Sequence, residues 1–187
     1  GTFVTYGVGC KGSGSGPGGG GNVILPTASR TAIGNSNNVF GAAYQNQRYQ
    51  QVHVGTQVGS ARSFKGHAFR PGNRKDASVT RTIQIRMGHT TKTPANLTTT
   101  FASNITSAQT LVLNKKVVMP AMVPSTVPSV FALKVPWSSN WAWSGAKGQN
   151  LLYEYRCSDT TSAAYYPNAV SGNSNVCRLW GTGPTAT

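Results

Sequence analysis

The segment from Val79 to Met87 alternates very regularly between apolar and polar side chains. Odd positions carry Val, Ile and Met, even positions carry Thr, Gln and Arg, and the exception is Arg81 at an odd position. A period of two predicts a β-strand with one buried face. Because Arg81 falls on the buried face, we expect a bulge, a strand end or a buried contact there.

Similar strand-like runs follow one another along the chain, and no segment of helical period competes with them. The other predicted strands are residues 2–8, 23–25, 48–54, 62–70, 97–102, 110–119, 130–136, 151–157 and 176–180. Turn residues throughout Pro71–Ala77 predict a hairpin between the strands on either side. Many short strands separated by turns predict an all-β fold, namely a single β-sandwich of jelly-roll type.

The N-terminal region is predicted to be a strand on a glycine-rich tether. Residues 1–21 form this arm, residues 22–187 form the sandwich domain, and seven of the ten residues from 12 to 21 are glycine. Such a run behaves as a flexible coil spanning about 17 Å. The strand therefore either folds back onto its own domain or adds to the sheet edge of a neighbouring subunit. The residues of this subunit-contact arm are Phe3, Val4, Tyr6 and Val8.

The charge balance is strongly basic. The chain has 17 Lys and Arg against 3 Asp and Glu, a net charge of +14, although charged residues make up only 11% of it. Such a charge attracts acidic polysaccharides, acidic cell surfaces or nucleic acid by long-range steering and counterion release. Of these partners we expect nucleic acid least. The absence of any run of 18 apolar residues predicts no membrane-spanning helix.

Few residues could support catalysis or bind a metal. Three carboxylates are too few for an evident glycosidase pair or for a calcium site with several acidic ligands. His53, His67 and His89 fall on or near three separate strands, and no two of them share a short ligand spacing. Because no catalytic motif is present, we expect a non-enzymatic protein without a cofactor or a metal.

The three cysteines, Cys10, Cys157 and Cys177, have no Cys-x-x-Cys spacing. A turn-rich loop separates the strands that carry Cys157 and Cys177, so a disulfide between them is predicted, the alternative being two buried thiols. Such a bridge would contribute about 3 kcal/mol. Cys10 is then left for intermolecular pairing or as a free thiol.

Two groups of side chains are candidates for ligand contact. Trp137, Trp141 and Trp143 lie close together in the sequence, and they form either a glycan-stacking platform or part of the core or a subunit interface. Basic residues are scattered along the strands and turns, and they form either a solvated positive surface or specific contacts to a polyanion. The candidates for such contacts are Arg74, Lys75, Lys115 and Lys116.

Several short motifs occur in a recognisable order. They are Tyr6-Gly-Val-Gly-Cys10, Arg48-Tyr-Gln-Gln-Val52, Ile85-Arg-Met87, Leu97-Thr-Thr-Thr-Phe101 with Asn104, Val117-Val118 before Pro120, and Asn150-Leu-Leu-Tyr-Glu-Tyr-Arg156. In this order the chain resembles uncharacterised secreted or cell-surface proteins of planctomycete-type bacteria over residues 2–156. The resemblance implies export and a β-rich domain, and it implies no reaction.

These observations together predict a secreted, non-enzymatic structural subunit of an extracellular or cell-surface assembly. Its main partner would be other copies of itself, in a homo-oligomer or in a filament built by N-terminal strand exchange. One alternative is a carbohydrate- or polyanion-binding β-sandwich module. Another is a jelly-roll capsid subunit with a basic inner face.

Overall fold

β-strands dominate the computed structural model of this chain. The structure describes residues 2–4, 6–8, 23–32, 34, 46–72, 74–125, 129–159, 165–167, 169–171, 174–183 and 185–187. The strands are β1 (Thr2–Val4), β2 (Tyr6–Val8), β3 (Val23–Leu25), β4 (Gln47–His53), β5 (Arg62–Phe69), β6 (Val79–Thr90), β7 (Thr110–Met119), β8 (Leu133–Trp143), β9 (Asn150–Cys157), β10 (Ala169–Ser171) and β11 (Val176–Thr182). The predicted all-β class is confirmed at this level.

Helical structure is short. The one-turn helix α1 spans Gly55–Val58, and 3-10 turns span Thr27–Arg30, Pro94–Asn96 and Ala102–Asn104. Within the ranges given above, none of the helices is long and apolar enough to cross a lipid bilayer.

The strands form antiparallel sheets. The larger sheet has five strands in the order β11-β4-β9-β6-β7, the next has four in the order β3-β2-β5-β8, and β1 pairs with β10. Buried side chains from both larger sheets belong to one hydrophobic core, for example Ile83 and Tyr155 from the first and Phe64 and Leu133 from the second. The two sheets therefore stabilise each other by burying apolar surface between them.

Strand β6 has the predicted alternation and extends three residues beyond Met87. Its one irregularity in pairing with β7 lies between Ile85 and Arg86, so no bulge accompanies Arg81. Arg81 is 1% exposed on the core side. Burial raises the pKa of both Tyr155 and Cys157, and the positive charge of Arg81 partly offsets that effect. A buried contact, the third of the predicted explanations, therefore accounts for this arginine.

The predicted hairpin across Pro71–Ala77 is wrong. Strand β5 pairs with β2 and β8, whereas β6 pairs with β7 and β9 in the other sheet. The connecting segment makes isolated bridges to distant parts of the chain, Pro71 to Pro167 and Asp76 to Met122. These long-range pairings lead the chain from one sheet to the other.

The predicted strand at residues 97–102 is also absent, since this segment consists of bends and a turn. The Oδ1 atom of Asn104 accepts hydrogen bonds from the backbone N–H of Thr98 at 2.9 Å and from its hydroxyl at 3.0 Å. The Nδ2 atom of Asn104 donates to the Thr98 carbonyl at 3.0 Å. One buried side chain thus satisfies backbone groups that a strand would have paired in a ladder.

Candidate functional site

The candidate site is the position of the N-terminal strand in the four-stranded sheet. Strand β2 lies between β3 and β5, with Tyr6 opposite both Leu25 and Phe69. Val8 is opposite Val23, and β1 pairs separately with β10. Strand β2 therefore fills an interior strand position, and β1 adds a separate pairing with β10.

The strands on either side of this position present buried apolar residues. Val23, Leu25 and Phe69 are 3%, 0% and 1% exposed. Withdrawal of β2 would leave the facing backbone edges of β3 and β5 without partners, at a cost in free energy. The position must therefore be occupied by a strand. The four predicted arm residues all belong to β1 or β2, and backbone pairing is what the structure describes for them.

The face of the five-stranded sheet that is directed away from the shared core holds a buried charged cluster. The sequence analysis missed this cluster. Glu154 is fully buried, and its Oε2 accepts hydrogen bonds from Arg48 at 2.9 Å and from Gln50 at 2.6 Å. Its Oε1 pairs with Arg156 at 2.7 Å. The guanidinium of Arg48 lies over the ring of Phe101, 4.5 Å from its centroid. We call Glu154, Arg48, Arg156 and Gln50 the Glu154 cluster.

The Glu154 cluster follows from strand register. Gln50 is directly opposite Glu154, and Arg48 is directly opposite Arg156. The sequence signal was available, because the polar pairs 48/50 and 154/156 each have the spacing of one strand face. The cluster locks β4 to β9 around a fully buried carboxylate, so we assign it a structural role.

The three histidines are kept apart by the fold. His67 lies in the core, where its Nδ1 accepts a hydrogen bond from the indole N–H of Trp137 at 2.9 Å. His53 lies on β4, and Gln51 shares a hydrogen bond with its Nε2. His89 packs between Trp141 and Trp143, with ring centroids 4.9 and 5.1 Å away. Across the described residues, no group of three or more His, Cys, Asp or Glu could hold a metal ion.

Two of the three predicted aromatic residues belong to the core. Trp141 and Trp143 are 5% and 2% exposed, and the Trp143 indole donates to the Gly59 carbonyl at 2.8 Å. Because both rings are buried, they cannot form an exposed glycan platform on this subunit. Burial in the core, the alternative interpretation of the sequence, applies to them. Trp137 is half-buried against the same core. Trp180, on the edge strand β11, is 53% exposed.

The predicted disulfide between Cys157 and Cys177 is wrong, since both are free thiols. Strand β4 lies between their strands, where Cys157 is opposite Gln47 and Cys177 is opposite Val52. Five positions along a strand correspond to about 17 Å, far beyond disulfide reach. Burial raises the pKa of the Cys157 thiol and makes it unreactive. Cys10 lies outside the described residues.

The predicted polyanion contacts occupy two places. Arg74 and Lys75 are exposed in the segment between β5 and β6, where Arg74 lies 3.5 Å from Asp76. Lys115 and Lys116 are exposed in the middle of β7, and they point to opposite sides of that strand. The structure therefore supports a dispersed positive surface more than one focused binding site.

Comparison with known proteins adds no relative, because no protein-family model, curated protein or solved structure matches this chain. The resemblance to secreted planctomycete-type proteins stays a prediction.

Proposed function

We propose that this chain is a secreted, non-enzymatic structural subunit of an extracellular or cell-surface assembly, and that its copies exchange N-terminal strands. The body of the subunit is a β-sandwich of jelly-roll type, which is supported by the core that the two larger sheets share. Export is supported by the sequence resemblance alone.

The position of β2 is the observation that carries the proposal. β2 and β3 are antiparallel neighbours, and Val8 lies opposite Val23 at the end of their pairing. Two residues suffice to connect such a pair. Here residues 9 to 22, 14 residues in all, connect them. A connection this long permits β2 to occupy the equivalent position of another copy.

The connection is long enough to reach a neighbour. Fourteen residues extend to roughly 46–50 Å at full stretch. A folded chain of 187 residues, the length of this protein, has a radius of gyration of about 16 Å. The arm can therefore leave its own sheet and reach the same position in an adjacent subunit.

Exchange preserves the strand pairings, so its enthalpic cost is small. The same residues of β2 meet the same residues of β3 and β5 whether these belong to one chain or to two. The chain's own β2 competes with the β2 of a second copy for this position, and its tether gives it an effective concentration of order millimolar. Exchange therefore needs a high subunit concentration or further contacts, and head-to-tail exchange that does not close into a ring gives a filament.

A hairpin-locked variant tests the proposal. In this variant Asn-Gly replaces residues 9–22 and joins Val8 to Val23 by a two-residue type I′ turn, which keeps β2 in its own chain. At high concentration or with an added polyanion, we expect the wild-type protein to form large particles in electron microscopy and light scattering. The locked variant should remain a folded monomer under the same conditions. Cys10→Ser with the full linker is the control for loss of the thiol, and it should still assemble.

Two results would overturn the proposal. One is a wild-type protein that stays monomeric up to millimolar concentration, with or without an added polyanion. The other is a locked variant that assembles as the wild type does. Closed shells containing nucleic acid would instead favour the capsid alternative.

A further inference from the structure

All three carboxylates of the chain are engaged inside the subunit. Glu154 is fully buried among its cationic partners. The Asp76 side chain is 1% exposed, pairs with Arg74 and accepts the backbone N–H of Tyr166 at 2.9 Å. Asp159 is half-buried and accepts a backbone N–H of β6. The surface of the subunit therefore offers almost no negative charge to a neighbour.

Positive charge, in contrast, is exposed on both sheets. In the part of the chain that the structure describes, the exposed lysines are Lys65, Lys75, Lys115, Lys116, Lys134 and Lys147. Lys134 lies opposite Ala68 in the four-stranded sheet, and Lys116 lies opposite Thr82 in the five-stranded sheet. Lys134 lies between buried Leu133 and Val135, so it points away from the shared core. Lys116 shares its strand face with exposed Asn114 and Val118, so it also points away from that core. Copies that approach through either sheet bring like charges together without a carboxylate to pair them.

We infer that assembly requires an acidic polysaccharide whose carboxylates neutralise these lysines between neighbouring subunits. This inference rests on the proposed strand exchange and names the partner that makes it favourable. Neutralisation lowers the repulsion between subunits of net charge +14 and releases counterions from the polymer. Strand exchange then supplies the directional contact between subunits, and the polymer supplies the negative charge that neutralises their lysines.

The exposed groups favour a polysaccharide over nucleic acid. Bases of single strands stack on successive exposed aromatic side chains. Trp141 and Trp143 are buried, and among the aromatic side chains whose exposure is described only Trp180 is exposed. Arginine is the side chain that grips phosphate with two parallel hydrogen bonds. Among the arginines whose exposure is described, only Arg74 is classed as exposed, and it is paired with Asp76. Lysine point charges spread over both sheets suit a flexible carboxylate polymer that passes around the subunit.

Binding can be measured separately from assembly by using the hairpin-locked variant. We expect it to bind polygalacturonate at 50 mM NaCl and to lose that binding at 500 mM NaCl. Lys115→Gln, Lys116→Gln and Lys134→Gln together should weaken binding at least about tenfold at 50 mM NaCl. The matched control carries three substitutions of exposed uncharged residues on the same sheets, Thr80→Gln, Asn114→Gln and Ala142→Gln, and should bind as the parent does.

The wild-type protein completes the experiment. At 50 mM NaCl it should stay dispersed alone and assemble when polygalacturonate is added, but not when neutral dextran is added. Equal assembly without polymer, or a locked variant that does not bind polygalacturonate, overturns this inference and leaves strand exchange standing. Binding without assembly in the wild type overturns strand exchange instead. Single-stranded DNA that binds tenfold more tightly than polyphosphate of equal charge would reveal base recognition, and would overturn the choice of a polysaccharide.

Discussion

Acidification from pH 7 to pH 4 should remove about 6 kcal/mol of folding stability through His53 and His67 alone. Burial lowers the pKa of each imidazole from 6.5 to about 3. The unfolded chain therefore takes up protons first, and stability falls as the pH drops below 6.5 and continues to fall towards pH 3. By pH 4 each histidine accounts for about 3 kcal/mol of the lost folding stability.

The hydrogen bonds of the two histidines also require neutral imidazole rings. The Nδ1 atom of His67 accepts the indole proton of Trp137, and the Nε2 atom of His53 shares a hydrogen bond with Gln51. An amide N–H and an indole N–H can only donate, so both ring nitrogens must be unprotonated. Protonation would break each hydrogen bond and leave a charge in the core.

Urea unfolding followed by tryptophan fluorescence at pH 7, 5 and 4 measures this effect. Typical domains are stable by 5–15 kcal/mol, so we expect the protein to be close to unfolding at pH 4. The double variant His53→Gln/His67→Gln should be less stable at pH 7 but lose about 6 kcal/mol less than the wild type on acidification. His89→Gln, at a partly exposed position, is the matched control. A double variant that loses as much stability as the wild type contradicts this account.

Glu154→Gln should cost about 3–5 kcal/mol of stability, although it removes no atoms from the core. The carboxylate accepts hydrogen bonds from Arg48, Gln50 and Arg156 at once. An amide can place its oxygen towards only one arginine, and its NH₂ group then faces the donors of the other. Two guanidinium groups, with side chains 9% and 25% exposed, would also lose their shared counter-charge.

The same urea titration at pH 7 tests this substitution. Lys116→Gln removes one charge from an exposed position and should change stability by less than about 0.5 kcal/mol. Glu154→Gln combined with Arg48→Met removes one of the two uncompensated cations, so the double variant should be more stable than Glu154→Gln alone. If Glu154→Gln lies within about 1 kcal/mol of the wild type, the Glu154 cluster does not have the structural role assigned to it.

Much of the architecture could be predicted from local patterns, because strand periodicity is a local property. The alternation around Ile83 and Ile85 identified the buried face of β6, and the position of Arg81 on that face was visible as a misfit. The hairpin across Pro71–Ala77 failed for the opposite reason. Turn residues show where a chain reverses, whereas the sheet that the next strand joins depends on distant bridges such as Asp76 to Met122.

Contacts between distant strands could not be predicted in the same way. Cys157 and Cys177 seemed close because one loop separates them, but β4 lies between their strands. The Glu154 cluster required the register of β4 against β9, which the sequence does not state. The amide group of Asn104 forms hydrogen bonds with the backbone of Thr98 in the preceding loop. Propensity scales do not include such bonds, which replace the backbone pairing of a strand. For the candidate site, the sequence identified the arm residues, and the structure supplied the strands that receive them.

Trapping of β2 by an engineered disulfide tests strand exchange most directly. Gly7 lies directly opposite Ala68 across the β2–β5 pairing. Opposite residues on antiparallel strands have Cα atoms about 4.5–5.5 Å apart, within the range that a disulfide bridges. Gly7→Cys and Ala68→Cys are combined with Cys10→Ser, the variant is assembled and oxidised, and the product is separated on a denaturing gel without reductant. The proposal predicts a ladder of disulfide-linked multimers that collapses to monomer on reduction. Assembled particles that give only monomers with an internal disulfide would contradict it.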